Sequence, residues 1–243
     1  MSEDCATARW AVPAAAGVLL ATVNVVNNRM DGSREERYIA SCLLAAGALL
    51  GLAGLDGRSW NELGLEPSRV PTGLRMGGAA GLAAATVTVA ALGSERARAA
   101  LDDDRAVRRG RRGAVRAALL RVPLGTVVLE EVAFRSVVPA LLERHVGGRR
   151  AHVTSALLFG LWHVLPGRKL ATDNAMARRA VGGSKTLGAG LAVASTIVAG
   201  LGFGELRHRS GSLIAPALLH WSFNSGGYLA AAFSAPLEPG VRR

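Results

Sequence analysis

Seven stretches of this chain are apolar over close to the thickness of a bilayer: residues 10–26, 38–55, 74–92, 123–142, 151–166, 187–206 and 212–233. A membrane span needs about 20 mainly apolar residues. The fifth stretch is short and extends toward its flanks. In lipid the backbone must satisfy its own hydrogen bonds, so only helices or closed barrels can cross. These runs are rich in Ala, Leu and Gly, and they are too long and too unalternating for barrel strands. The expected fold is therefore all-α, a polytopic transmembrane helical bundle of about seven spans.

Composition agrees. Half of the 243 residues are hydrophobic and 19% are charged, which excludes disorder for most of the chain. The net charge is +11, and all but Lys169 and Lys185 of the 29 basic residues are Arg. In a soluble protein that balance would suggest nucleic acid. Here the arginines sit between apolar runs, so the expected partner is the lipid bilayer and not nucleic acid. Cys5 and Cys42 form no C-x-x-C pair, which leaves neither a thiolate zinc site nor a disulfide framework. The first run is preceded by Glu3, Asp4 and Arg9 and has Asn24, Asn27 and Asn28 at its end, so it reads as a retained span and not a signal peptide.

Loop cations set orientation. One set of alternate loops carries 8 Arg and Lys residues, and the set that includes 27–37, 93–122, 167–186 and the tail carries 19. The richer side is expected to be cytoplasmic, with the N-terminus outside. The stretch Arg105 to Val122 mixes arginines with Val115, Leu119 and Leu120 and reads as a basic helix in the headgroup region. Gly73/Gly77/Gly81, Gly47/Gly51 and Gly200/Gly204 have the four-residue spacing that lets helix backbones approach closely in lipid.

The residues that point to function are the ionisable ones inside apolar runs, where each costs at least about 2.5–3.5 kcal/mol. The fourth run carries Glu130, Glu131 and Arg135, the fifth carries His163, and the seventh carries His220 and Asn224. Glu131 and Arg135 are four apart and can pair on one helical face. Glu130 points about 100° away and must find a partner on another helix or take up a proton. His220 and Asn224 project together, and Phe159 walls the side of His163. A carboxylate, two histidines and an amide on three helices can activate a water. Two routes are open. Glu130, His163 and His220 could hold a metal such as zinc, with a position left for water. Without metal, Glu130 and His163 deprotonate water while His220 and Asn224 donate hydrogen bonds to an oxyanion.

The ordered strings E-E-x-x-x-R (Glu130, Glu131, Arg135), F-x-x-x-H (Phe159, His163) and H-x-x-x-N (His220, Asn224) resemble the CPBP intramembrane proteases. That family includes the CAAX prenyl endopeptidases and their abortive-infection and bacteriocin-processing relatives. The lead-in from Arg209 to His220 is also similar, and the resemblance covers roughly residues 115–230. Ser136 stands where the family often has Gly. The resemblance implies an intramembrane endopeptidase, named a metalloprotease, that cuts membrane-associated, prenylated or leader-bearing peptides. It implies Glu130 and His163 as the water-activating pair, His220 and Asn224 as oxyanion stabilisers, and Arg135 and Phe159 as structural. It divides the chain into N-terminal helices without a motif (1–100) and a catalytic membrane core (101–243), in the plasma membrane. The competing readings are a small ion- or proton-coupled transporter and a non-catalytic membrane scaffold.

Overall fold

The computed structural model describes residues 3–30, 34–95, 110–173, 178–179 and 181–234, and these are helical, with no strand among them. In chain order the helices are α1 (Glu3–Arg29), α2 (Glu35–Leu55), the short α3 (Trp60–Leu63), α4 (Val70–Ala91), α5 (residues 110–146), α6 (Gly148–Trp162), α7 (Val164–Asp173), α8 (Lys185–Ser210) and α9 (Ile214–Ser234). Four stretches are long and apolar enough to cross a membrane: Trp10–Arg29, Glu35–Leu55, Trp60–Ala91 and Lys185–Ser210. The other three apolar runs fall in α5, in α6 and the start of α7, and in α9. The chain is an integral membrane helical bundle.

α5 is its axis. Every residue from 129 to 141 is buried, as befits a helix apolar on all sides with only its ionisable residues to break the pattern. Leu20 of α1, Leu49 of α2, Leu129, Phe134 and Leu141 of α5 and Phe159 of α6 belong to one buried core. α4 and α9 meet through the first glycine stripe. A Cβ on Gly77 would lie 2.7 Å from the Ala215 Cα, and one on Gly81 would lie 2.6 Å from Ser222 Oγ. Gly200 packs on Ala156 and Phe159 in the same manner, whereas Gly47 and Gly51 have no atom near enough to meet a Cβ. The small-residue spacing therefore marks helix contacts within the bundle at two of its three occurrences.

Two stretches of α5 wind as π-helix, Ala117–Val127 and Val132–Val137, and two prolines give the reason. Pro123 and Pro139 would clash with the carbonyl four residues back in an α-helix. The wider π turn relieves this, but a proline has no N–H for the carbonyl five residues back. That carbonyl is Ala118 for Pro123 and Phe134 for Pro139. Trp221 Nε1 and Ser225 Oγ of α9 both donate to Ala118 O, at 2.8 and 3.0 Å. Ser155 Oγ of α6 donates to Phe134 O at 2.7 Å. The orphaned carbonyls thus become the points where α9 and α6 bind the site helix.

This changes the expected headgroup helix. Residues 105–109 lie outside the described residues. From Gly110 onward the stretch is the beginning of α5 itself, with Ala114, Ala117 and Ala118 buried and the Ala118 carbonyl bonded to α9.

Ser136 donates to Leu63 O at 2.7 Å, which ties α5 to α3. α3 is closed by a capping box between Ser59 and Glu62, and Arg207 of α8 reaches its last carbonyls at Asn61 and Glu62.

Candidate active site

The residues expected to act together do come together. α5 supplies Glu130, Glu131 and Arg135; α6 supplies Phe159 and Trp162; His163 sits at the α6–α7 break; α8 supplies Phe203; and α9 supplies His220 and Asn224. Glu130, Glu131, Arg135 and His220 are 6%, 1%, 3% and 5% exposed. His163 is half-buried and Asn224 is exposed.

The break at His163 sets its ring. The His163 amide bonds Gly160 O at 2.9 Å, three residues back and not four. Phe159 O then accepts from His163 Nδ1 at 2.8 Å. A carbonyl can only accept, so Nδ1 carries a proton, and Nε2 is the nitrogen that faces Glu130. The carbonyl of Trp162, at the same break, accepts from Asn24 Nδ2 of α1 at 2.9 Å.

His220 is oriented by the second carboxylate. It donates from Nδ1 to Glu131 Oε1 at 2.8 Å, and Asn224 donates from Nδ2 to His220 Nε2 at 3.0 Å. Both ring nitrogens are engaged. In this tautomer His220 points Nδ1 at Glu131 and Nε2 at Asn224. It holds the Asn224 amide, whose second N–H remains.

Glu130 accepts from Trp162 Nε1 through Oε1 at 3.0 Å. Its Oε2 has no hydrogen-bond partner among the described residues. That oxygen lies 3.9 Å from His163 Nε2 and 3.7 Å from His220 Nε2, beyond direct hydrogen-bond range. Trp162, next to His163 in the chain, is thus the direct partner of Glu130.

The expected Glu131–Arg135 staple is looser than an α-helix would make it. Arg135 Nε is 3.7 Å from Glu131 Oε2, and no Arg135 nitrogen has a hydrogen-bond partner among the described residues. The π turn at Val132–Val137 spreads residues four apart. The guanidinium lies over Phe159 at 3.9 Å and over Phe203 at 5.0 Å. Phe159 meets His163 edge-on at 4.6 Å, and Phe203 stacks on His220 at 5.1 Å. Cation and rings form one block behind the two histidines.

The expected zinc ligands Glu130, His163 and His220 do not make a three-ligand site as they stand. Each would have to aim a lone pair at one point, and the His220 Nε2 lone pair accepts from Asn224. No group of three or more His, Cys, Asp or Glu side chains among the described residues is arranged to hold a metal ion.

The first two helices carry more polar contact than their apolar sequence suggests. Ser41 Oγ donates to Asn27 Oδ1, Asn28 Nδ2 donates to Asn24 Oδ1, and the Tyr38 hydroxyl bonds Thr126 of α5 at 2.9 Å. Asn24 is the member that touches the site. Its signal was an amide inside an apolar run, where polar residues carry function.

An integral membrane helical bundle in which buried carboxylates meet two histidines and an amide from other helices has the architecture of an intramembrane enzyme. Residues 113–226 match the model of one protein family, the type II CAAX prenyl endopeptidase Rce1-like family. Over this segment the chain is similar to that protease family, as the three motifs imply, and the segment contains every site residue except Asn24. No curated protein and no solved structure matches the chain.

Proposed function

We propose that the protein is an intramembrane endopeptidase of the cell membrane that hydrolyses peptide bonds in membrane-associated, prenylated or leader-bearing substrates. The observation that carries this reading is the Glu130 carboxylate. One oxygen is anchored by Trp162, and the other faces His163 Nε2 at 3.9 Å. With Nε2 unprotonated, two acceptors at that separation are bridged by one water that donates to both.

The water oxygen attacks the substrate carbonyl carbon as Glu130 Oε2 takes its proton. Negative charge develops on the carbonyl oxygen, where the second N–H of Asn224 donates to it. Glu131, through His220, keeps that amide aimed. The proton held by Glu130 then passes to the amine nitrogen, the C–N bond breaks, and acid and amine leave. No step is routed through a metal, because the donor set does not fit one. Arg135 and Phe159 hold the histidines in place.

The test is cleavage of peptides by the purified protein in lipid nanodiscs. Glu130→Gln keeps size and the contact to Trp162 but cannot accept a proton, and it should lose about 100-fold or more in kcat. A chelator should leave wild-type cleavage unchanged. Retained cleavage in a well-folded Glu130→Gln would overturn the assignment of the base, and loss with chelator that zinc restores would replace it with the metal route.

A further inference from the structure

The carbonyl of Trp162 is another that a proline orphans. In a continuous helix it would accept from the amide of residue 166, and residue 166 is Pro. Proline has no N–H, and its ring would clash with that carbonyl. The helix breaks there: α6 ends at Trp162 and α7 begins at Val164. His163 O resumes the four-residue pattern by accepting from the Gly167 amide at 2.8 Å. Trp162 O is left over at the break, and it accepts from Asn24 Nδ2 of α1 at 2.9 Å.

Asn24 is itself held. Asn28, one turn further along α1, donates from Nδ2 to Asn24 Oδ1 at 2.6 Å and to the Asn24 carbonyl at 2.9 Å. With Oδ1 occupied by a donor, the amide turns its N–H groups toward α6, where only a donor can serve a carbonyl. The residue fixed in this way is the one whose Nε1 donates to Glu130 Oε1 at 3.0 Å. Packing alone does not hold Trp162 in place. A cavity of about 270 Å³ adjoins it, lined also by Leu20, Asn24, Phe134 and Leu158, and this leaves the indole room to turn.

Resting on the endopeptidase reading, we infer that Asn24 is a positioning residue of this site: by fixing the Trp162 carbonyl it keeps the indole N–H on Glu130 Oε1, which leaves Oε2 turned toward His163 and the water. A reacting group misplaced by about 1 Å can lose about 100-fold in rate. Asn24 lies outside residues 113–226, the segment similar to the protease family. α1 is thus a working part of the site as well as a membrane span.

Two readouts test this on the full chain in lipid nanodiscs: peptide cleavage, and the indole N–H signal of Trp162 in protein labelled with nitrogen-15 at tryptophan, assigned by its loss in Trp162→Phe. Asn24→Leu keeps the size without the donor, and Asn24→Ala removes both. Each should lower kcat by about 10-fold or more with KM little changed, and each should move the indole signal. Trp162→Phe should lower kcat comparably, and adding Asn24→Leu to it should cost little more, because both act on one carboxylate. Asn27 is the matched control: it lies on the same helix but bonds Ser41 and Cys42 of α2. Asn27→Ala should leave kcat and the indole signal unchanged. An indole signal unmoved in both Asn24 variants would overturn the inference, as would kcat losses that simply multiply with that of Trp162→Phe. A signal that moves with Asn24→Leu and not with Asn27→Ala, in a protein whose wild type cleaves no peptide, would sustain the positioning role and sink the endopeptidase reading.

Discussion

Asn224 and Arg135 separate two roles that side chains can have at this site. Asn224 has one amide N–H committed to His220 and one free. Asn224→Ala should raise the barrier by roughly 2.7–4 kcal/mol, read as a fall in kcat with KM little changed. Arg135 touches nothing that reacts. Its positive charge lies between two aromatic rings and 3.7 Å from Glu131. Removing one member of a buried pair typically costs about 3–5 kcal/mol. Arg135→Ala should therefore lower folded yield, and Glu131→Gln with Arg135→Gln should partly restore it, measured as monodisperse protein after detergent extraction. Normal folding of Arg135→Ala with lost activity alone would place Arg135 in the chemistry.

At the level of the helix, the π winding of α5 ties sequence to assembly. Pro139 deprives Phe134 O of a partner, and Ser155 supplies one from α6. Ser155→Ala should leave a buried carbonyl unsatisfied, at about 1–3 kcal/mol. Pro139→Ala restores the missing N–H on the same helix, so the double variant should be more stable than Ser155→Ala alone in denaturant unfolding followed by circular dichroism. If the two substitutions simply add, the proline is not what orphans that carbonyl. The same geometry explains why Glu131 and Arg135 share a face and pair at 3.7 Å without a hydrogen bond. Four-residue spacing was legible in the sequence, but the local helix pitch was not, because it depends on which neighbouring helix takes up the freed carbonyls.

For the molecule as a whole, the 19-to-8 division of loop cations predicts that reporter fusions at Gly110 and Arg243 both read cytoplasmic, and an external reading at Gly110 would reverse the orientation. The class of fold and the chemistry-bearing residues were legible before any coordinates. Bilayer thickness translates directly into run length, and the cost of burying charge makes Glu130, Glu131, Arg135, His163 and His220 conspicuous in apolar surroundings. Partner choice was not legible. Trp162 on Glu130 spans 32 positions, His220 on Glu131 spans 89, and Asn24 on Trp162 spans 138. A hydrogen bond is a short-range, directional contact, and only packing decides which distant residue arrives within 3 Å. Hence residue types and spacing named the components. The tertiary structure alone turned His163 Nε2 toward Glu130, engaged both nitrogens of His220, and brought Asn24 to the carbonyl of Trp162.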